Sequence, residues 1–391
     1  MLVLAAYVLL RAMGRTTHGF VAYYAASRLL VTGQLGPWVY DDAWFNRYVQ
    51  DLTGTGVLEV FGPNAPTVSL MALPVAFLDS TAARNVWLAV SLLGLALASA
   101  ALLREASRDG RVPQGFAAVM LLSPVVFANL RTAQAYLLVF TAFTAAALAL
   151  LRQRDVLAGG LLGLTFALKS AGLPLLILLA AQRRLRSLAA AAVVLGSAAL
   201  LLLVWAGGGI WPRYAAYVWE FVHRPSASVT AYQTTWGFVR HFCVSDRDWN
   251  PVAPASCGPL ATVLPGLLIA TAIVVTVIMS FRSRTALWVA AGISLSVLAV
   301  PIAEEHQFAA LGIPMMFTLQ ARARRGTVAS WLSWWPWVVF SVLFVIPLEY
   351  TAHRFTTGWS ALAAYPRLYA AWWLWGLGVR EMWLDRRLKH S

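Results

Sequence analysis

Long apolar runs separated by short polar stretches dominate the chain. Runs able to span a membrane fall at 1–13, 84–103, 114–129, 135–151, 187–207, 260–281, 286–302, 307–320, 328–348 and 367–379. Apolar stretches of roughly 17 to 25 residues match a hydrocarbon core about 30 Å thick. The pattern therefore predicts an all-α polytopic membrane protein. The first run has ten residues before Arg11 and lacks the small-residue cleavage site of a signal peptide. Two readings of it stay open: Arg11 and Arg15 snorkel at the end of a short helix, or the first helix is clipped.

The polar breaks carry the topology. Six basic clusters, "REASRDGR" (104–111), "RQR" (152–154), "RRLR" (183–186), "RSR" (282–284), "RARR" (322–325) and "REMWLDRRLK" (380–389), hold more than half of the 30 Lys and Arg. Placed together on the cytoplasmic side they satisfy the positive-inside rule. The long polar segments 14–83, 208–259 and 349–366 then share the other side, where a binding or catalytic face is expected. The organisation read from this is one integral-membrane domain, 1–391, with a first outer loop 14–83, a second outer loop 208–259 and a cytoplasmic tail 380–391. The stretch "DVLAGGLLGLTFALKSAGLPLLILLAAQRRLR" (155–186) has basic residues at both ends and cannot cross once without stranding one of them outside. A hairpin of two half-helices broken at Ser170–Pro174 satisfies the rule and leaves Lys169 near the break. Broken helices are tolerated where they face protein or a wet cavity, and an intramembrane lysine is a functional candidate. The alternative is a lysine that snorkels to an interface.

Composition agrees with this picture: 60% of residues are hydrophobic and 12% charged. The net charge of +14 is dispersed between apolar runs, which argues against a nucleic-acid partner. The 18 Trp residues concentrate in "WLSWWPW" (331–337) and "AAWWLW" (370–375), read as interfacial belts or, alternatively, a sugar-stacking platform. Cys243 and Cys257 share the second outer loop, and in an oxidising compartment they can pair. Closing that loop is worth about 3 kcal/mol in the chain-entropy model. No zinc spacing, P-loop, GxGxxG or hydrolase elbow is present. The lack of an internal repeat argues against a transporter built from two related halves.

The first outer loop is the most informative segment. Tyr23, Tyr24 and Arg28 recur at helical spacing, and Gly33 and Gly36-Pro37 end that helix. "VYDDAWF" sets Asp41 and Asp42 among aromatics, and "FGPNAPT" turns into a short apolar helix, 66–78, expected at the membrane interface.

The order of these pieces resembles glycosyltransferase family 87, the DUF2029 group of the multi-spanning GT-C superfamily. The matching stretches are "GFVAYYAASRLLVTG", "VYD", "FGPNAPTVSLMALPVAFL", "AARNVW", "NLRTAQAYLLVF", "AGGLLGLTFALKSAGLPLLILLA" and "EEHQF", over about residues 19 to 320. The resemblance implies a bundle of roughly 10–12 membrane helices with a large helical first outer loop. It also implies transfer of a hexose, often mannose, from a polyprenyl-phosphate donor to a lipid or glycan acceptor. That chemistry belongs on the extracytoplasmic face of the plasma (inner) membrane, with membrane lipids as the other partners and no metal. There is one departure. The family usually has Asp-Phe before the tyrosines, the Asp being the expected base, and here Gly19-Phe20 follows His18. Another residue has taken over, the register differs, or the chain is a degenerate scaffold that binds lipid or glycan. Restoring an aspartate at 19 is expected to discriminate.

Such a displacement needs a base for the acceptor hydroxyl and donors or cations for the leaving phosphate. Asp41, Asp42 and His306 are the catalytic candidates. Lys169, Arg131, Gln134, Glu304, Glu305, Tyr23 and Tyr24 are candidates for substrate or phosphate binding, with Arg213 and Arg224 as further outer cations. Their ordinary alternatives are turns or caps for the aspartates, a hydrated helix start for 304–306, and lipid headgroup contacts for the arginines.

Overall fold

The computed structural model describes residues 17–62, 64–108, 119–120, 123–223, 230–247, 250–281, 283–325, 334–346, 355 and 357–387. The expected span 1–13, parts of 114–129 and 328–348, and Arg224 lie outside these residues. The α-helices of the first half are α1 (Phe20–Val31), α2 (Asp42–Thr53), α3 (Ser80–Ala106), α4 (Pro124–Thr132), α5 (Tyr136–Leu151), α6 (Asp155–Lys169), α7 (Leu173–Ala181) and α8 (Leu185–Ala206). Those of the second half are α9 (Ile210–His223), α10 (Thr235–Cys243), α11 (Leu260–Ser280), α12 (Thr285–Leu298), α13 (Gly312–Arg324), α14 (Trp335–Val345), α15 (Gly358–Leu362) and α16 (Pro366–Arg387). Among the described residues the only β-pairing is an isolated bridge, Asp246 to Asn250. The chain is an all-α polytopic membrane protein, and α3, α8 and α11 are long and apolar enough to cross a membrane.

Several of the other bundle helices are cut short for a reason. At 1.5 Å per residue, α5, with 16 residues, is about 24 Å long, and α12, with 14, about 21 Å. They are nevertheless buried, α12 on every side from Leu287 to Leu298. Their ends away from the basic clusters stop at a hollow, and the connections between helices line it.

A chain of contacts joins the basic clusters on one face. Arg152 reaches Glu105 at 3.4 Å, Arg184 pairs with Asp155 at 2.7 Å, and Gln182 donates to Ser280 Oγ at 2.7 Å. Arg284 pairs with Asp385 at 2.9 Å, and Arg325 pairs with Glu381. The Arg184–Asp155 contact also brings together the start of α6 and the chain just past α7. The 155–186 stretch is therefore a hairpin, with its tip at Ser170–Gly172. Its first arm packs tightly on α8, because a Cβ on Gly159 would lie 1.9 Å from the Ser187 carbonyl oxygen. Small residues let membrane helices approach this closely.

One local expectation differs from the structure. Residues 66–78 form two 3-10 turns, Pro66–Leu70 and Leu73–Val75, rather than one helix. Pro74 has no N–H to continue the ladder. This segment docks inward: Thr67 Oγ1 donates to the Ala167 carbonyl, and Ser27 Oγ to the Ser69 carbonyl at 2.6 Å. The Trp cluster at 370–375 makes contacts within the bundle. Trp373 donates to the Pro336 carbonyl at 2.8 Å, Trp375 to Thr276 at 3.0 Å and Trp372 to Thr235 at 3.2 Å, so these indoles tie α16 to its neighbours. In the second outer loop, Cys243 and Cys257 are joined by a disulfide.

Candidate active site

A cavity of about 330 Å³ opens where the shortened helices end. α5, α6 and α12 each reach it with the end opposite their basic cluster, so it faces away from the clusters. The wall is mixed: His18, Glu59, Asn64, Gln134, Lys169, Glu304 and His306 supply polarity, and Val68, Val218, Phe221, Val300 and Ile302 supply apolar surface.

Lys169 is the last residue of α6, where the hairpin turns. Its Nζ donates to Tyr23 Oη at 3.0 Å and Asn64 Oδ1 at 3.0 Å. It also lies 4.7 Å from the Tyr23 ring centroid and 4.9 Å from that of Tyr136, within cation–π range. These contacts fix its Nζ, and among the described residues no carboxylate stands within ion-pair distance of it. Tyr23 in turn donates to Gln134 Oε1, in the turn between α4 and α5.

The most buried carboxylate in the wall is Glu59, 5% exposed. Its Oε2 accepts the Gly19 N–H at 2.5 Å and faces His18 Nδ1 at 3.1 Å; its Oε1 accepts the Val60 N–H at 3.0 Å. The hydrogen bond to Glu59 raises the His18 imidazole to about 9 against the opposing effect of burial. Across the cavity, Glu304 Oε2 stands 3.5 Å from His306 Nδ1. Burial, with the Lys169 and His18 charges nearby, holds His306 well below the ordinary imidazole value, hence neutral.

Gly19 explains its own lack of a side chain. It has φ +104°, and a Cβ there would lie 2.6 Å from the Thr132 carbonyl oxygen and 2.9 Å from Gln134 Nε2. An aspartate cannot be added without displacing the turn after α4, which removes it as a clean discriminator.

Of the residues singled out in the sequence, the cavity gathers Tyr23, Gln134, Lys169, Glu304 and His306. It does not gather the others. Asp41 caps α2, accepting from the Ala43 and Trp44 N–H groups at 3.0 Å each, and Asp42 accepts from Tyr217 at 3.3 Å. Glu305 turns away to Arg367, with Nη2 at 2.6 Å and Nε at 3.0 Å from its Oε1. Tyr24 donates to the Leu78 carbonyl at 2.7 Å. Arg131 contributes its carbonyl to Arg84 at 2.9 Å, and Arg213 lies 3.7 Å from Glu220. Glu59, His18, Asn64 and Tyr136 were not read as site residues. The available signal was Glu59 itself, a lone carboxylate in the apolar stretch "GVLEVFG".

A family model described as Glycosyltransferase family 87 matches residues 63–301, more than half of the chain. The match includes Asn64, Gln134, Tyr136 and Lys169 of the cavity, while His18 and Glu59 precede it and Glu304 and His306 follow it. No curated protein and no solved structure matches the chain.

Proposed function

The chain belongs to glycosyltransferase family 87, and from that premise we propose that this membrane glycosyltransferase moves a hexose, mannose-like, from a polyprenyl-phosphate donor to a lipid or glycan acceptor. The reaction takes place in the cavity, on the extracytoplasmic face of the plasma (inner) membrane. The observation that carries this reading is Lys169: a lysine at a hairpin tip, steadied by Tyr23, Asn64 and Tyr136, presented without a carboxylate partner into a half-apolar cavity. A lysine so placed meets the charge that develops on a departing phosphate, and preorganised charge in a water-poor site is worth far more than in bulk water. Val218, Phe221, Val300 and Ile302 suit the first isoprene units of the carrier, and Asn64 and Gln134 suit sugar hydroxyls. The lipid-linked sugar is the co-substrate, and the cycle as proposed uses no cofactor and no metal.

The scaffold reading loses its motivation at Gly19, because a buried carboxylate, Glu59, stands against that backbone. The test is transfer from labelled polyprenyl-phosphate mannose or glucose by the protein in liposomes. Lys169→Met is expected to lower kcat/KM by about 10²–10³-fold, the scale of losing one preorganised donor. Failure of the wild type to use any polyprenyl-phosphate hexose, or full activity in Lys169→Met, would overturn the reading.

A further inference from the structure

We propose, resting on the transferase reading above, that Glu59 is the catalytic proton acceptor of this cavity, with His18 and the Gly19 N–H as the groups that position it. A base in this cavity must be a carboxylate that is both presented to substrate and fixed. Asp41 and Asp42 are committed to α2 and Tyr217, and Glu305 to Arg367. Glu304 lines the cavity, but its side chain is 39% exposed with His306 Nδ1 3.5 Å away. Glu59 is buried and receives three donors, the Gly19 N–H, the Val60 N–H and His18 Nδ1. Each carboxylate oxygen accepts along two lone pairs. Oε2 uses both on Gly19 and His18, while Oε1 uses one on Val60, which leaves one direction on Oε1 for an acceptor hydroxyl.

The same geometry accounts for position 19. Only a residue without Cβ brings its N–H to Glu59 at this φ while clearing Thr132 and Gln134. The backbone there works as an orienting donor, and the carboxylate arrives from the loop 40 positions on. His18 has a separate task. Its Nδ1 stands 3.1 Å from Glu59 Oε2, so it fixes that oxygen and leaves Oε1 turned toward substrate.

In the step, the acceptor oxygen forms its bond to the anomeric carbon as the bond from that carbon to the phosphate oxygen breaks. The bonding electron pair leaves with the phosphate beside Lys169. The acceptor proton passes to Glu59 Oε1, which releases it to water once product has gone.

The experiment compares wild type, Glu59→Gln, Glu304→Gln and His18→Gln in the same liposome transfer assay, with binding of a non-transferable donor analogue measured in parallel. Glutamine keeps the shape of Glu59 and an acceptor for Gly19. Glu59→Gln is expected to lower kcat by about 10²–10⁴-fold while leaving analogue affinity within about threefold, the pattern of a lost transition-state interaction. Formate should restore part of the rate in Glu59→Gly, which a purely structural role would not allow. Glu304→Gln should lower kcat less than Glu59→Gln does. His18→Gln, which keeps a donor for Oε2, should retain more of kcat than His18→Ala; equal losses would overturn the positioning role of His18. Wild-type transfer with an undiminished Glu59→Gln, or a larger loss in Glu304→Gln, overturns the base assignment alone. Wild-type inactivity on every lipid-phosphate sugar overturns the transferase reading with it.

Discussion

At position 19 the backbone holds φ +104°, with the Thr132 carbonyl oxygen 2.6 Å from where a Cβ would be. Gly19→Asp should therefore cost about 1–3 kcal/mol in backbone strain and lower transfer activity. Thermal unfolding and the transfer assay check this, and a gain of activity would contradict the geometry. His18 beside it titrates near 9 when folded, against 6.5 ordinarily, with Glu59, Glu304 and the Leu58 backbone raising it and burial opposing. A raised folded value stabilises the protein fully below about 6.5, and the contribution is lost as pH rises through about 9. The His18 side chain is 55% exposed, so solvent screens the effect and its size is modest. The melting difference between wild type and Glu59→Gln should accordingly shrink from pH 7 to pH 10. The cap role of Asp41 was legible in sequence because a cap uses N–H groups two and three residues away. The role of Glu59 was not, because its partner lies 40 positions back.

At the scale of elements, the 3-10 segment Glu305–Leu311 ties the cavity to the bundle. Glu304 and His306 face the cavity, while Glu305 between them is anchored by Arg367, which is 0% exposed and also donates to the Leu343 and Ile346 carbonyls at 2.7 and 2.8 Å. Arg367→Met removes the two-donor contact to Glu305 and should destabilise the protein by about 3–5 kcal/mol, the scale of breaking a buried ion pair. The double variant Arg367→Met/Glu305→Gln should recover part of that in denaturant unfolding, and no recovery would argue against the ion pair as the anchor. The three adjacent ionisable residues of "AEEHQF" thus have divided duties that a 3-10 turn separates onto different sides. Sequence showed the cluster but not the division, since the turn type sets which way each side chain points. Charge counting did reveal the 155–186 hairpin, because two basic ends cannot lie on opposite sides of one span at low cost. Residues 66–78 misled because their apolar content suggests a helix while Pro66 and Pro74 interrupt its ladder.

Across the whole molecule, the contact chain from Glu105 to Asp385 puts the basic clusters on one face and the cavity on the other. Under the positive-inside rule, an exposed cysteine introduced by Arg154→Cys should react with a membrane-impermeant maleimide only after cell lysis. One introduced by Asp51→Cys should react in intact cells. The native disulfide can stay in place, since maleimide does not attack it. Reversed labelling would place the cavity on the cytoplasmic side and exclude the proposed orientation.

Sequence alone determined the membrane class, the helical architecture, the family resemblance and the grouping of the basic clusters. Those properties follow from local hydropathy and charge, which partition between water and lipid whatever the rest of the chain does. Only the tertiary structure decided which polar residues meet. Lys169 finds Tyr23 across 146 positions and Asn64 across 105, and these contacts exist because several helices end early around one hollow. That shared stopping level belongs to the packed bundle, and it makes a site of residues that are, in the sequence, isolated polar interruptions.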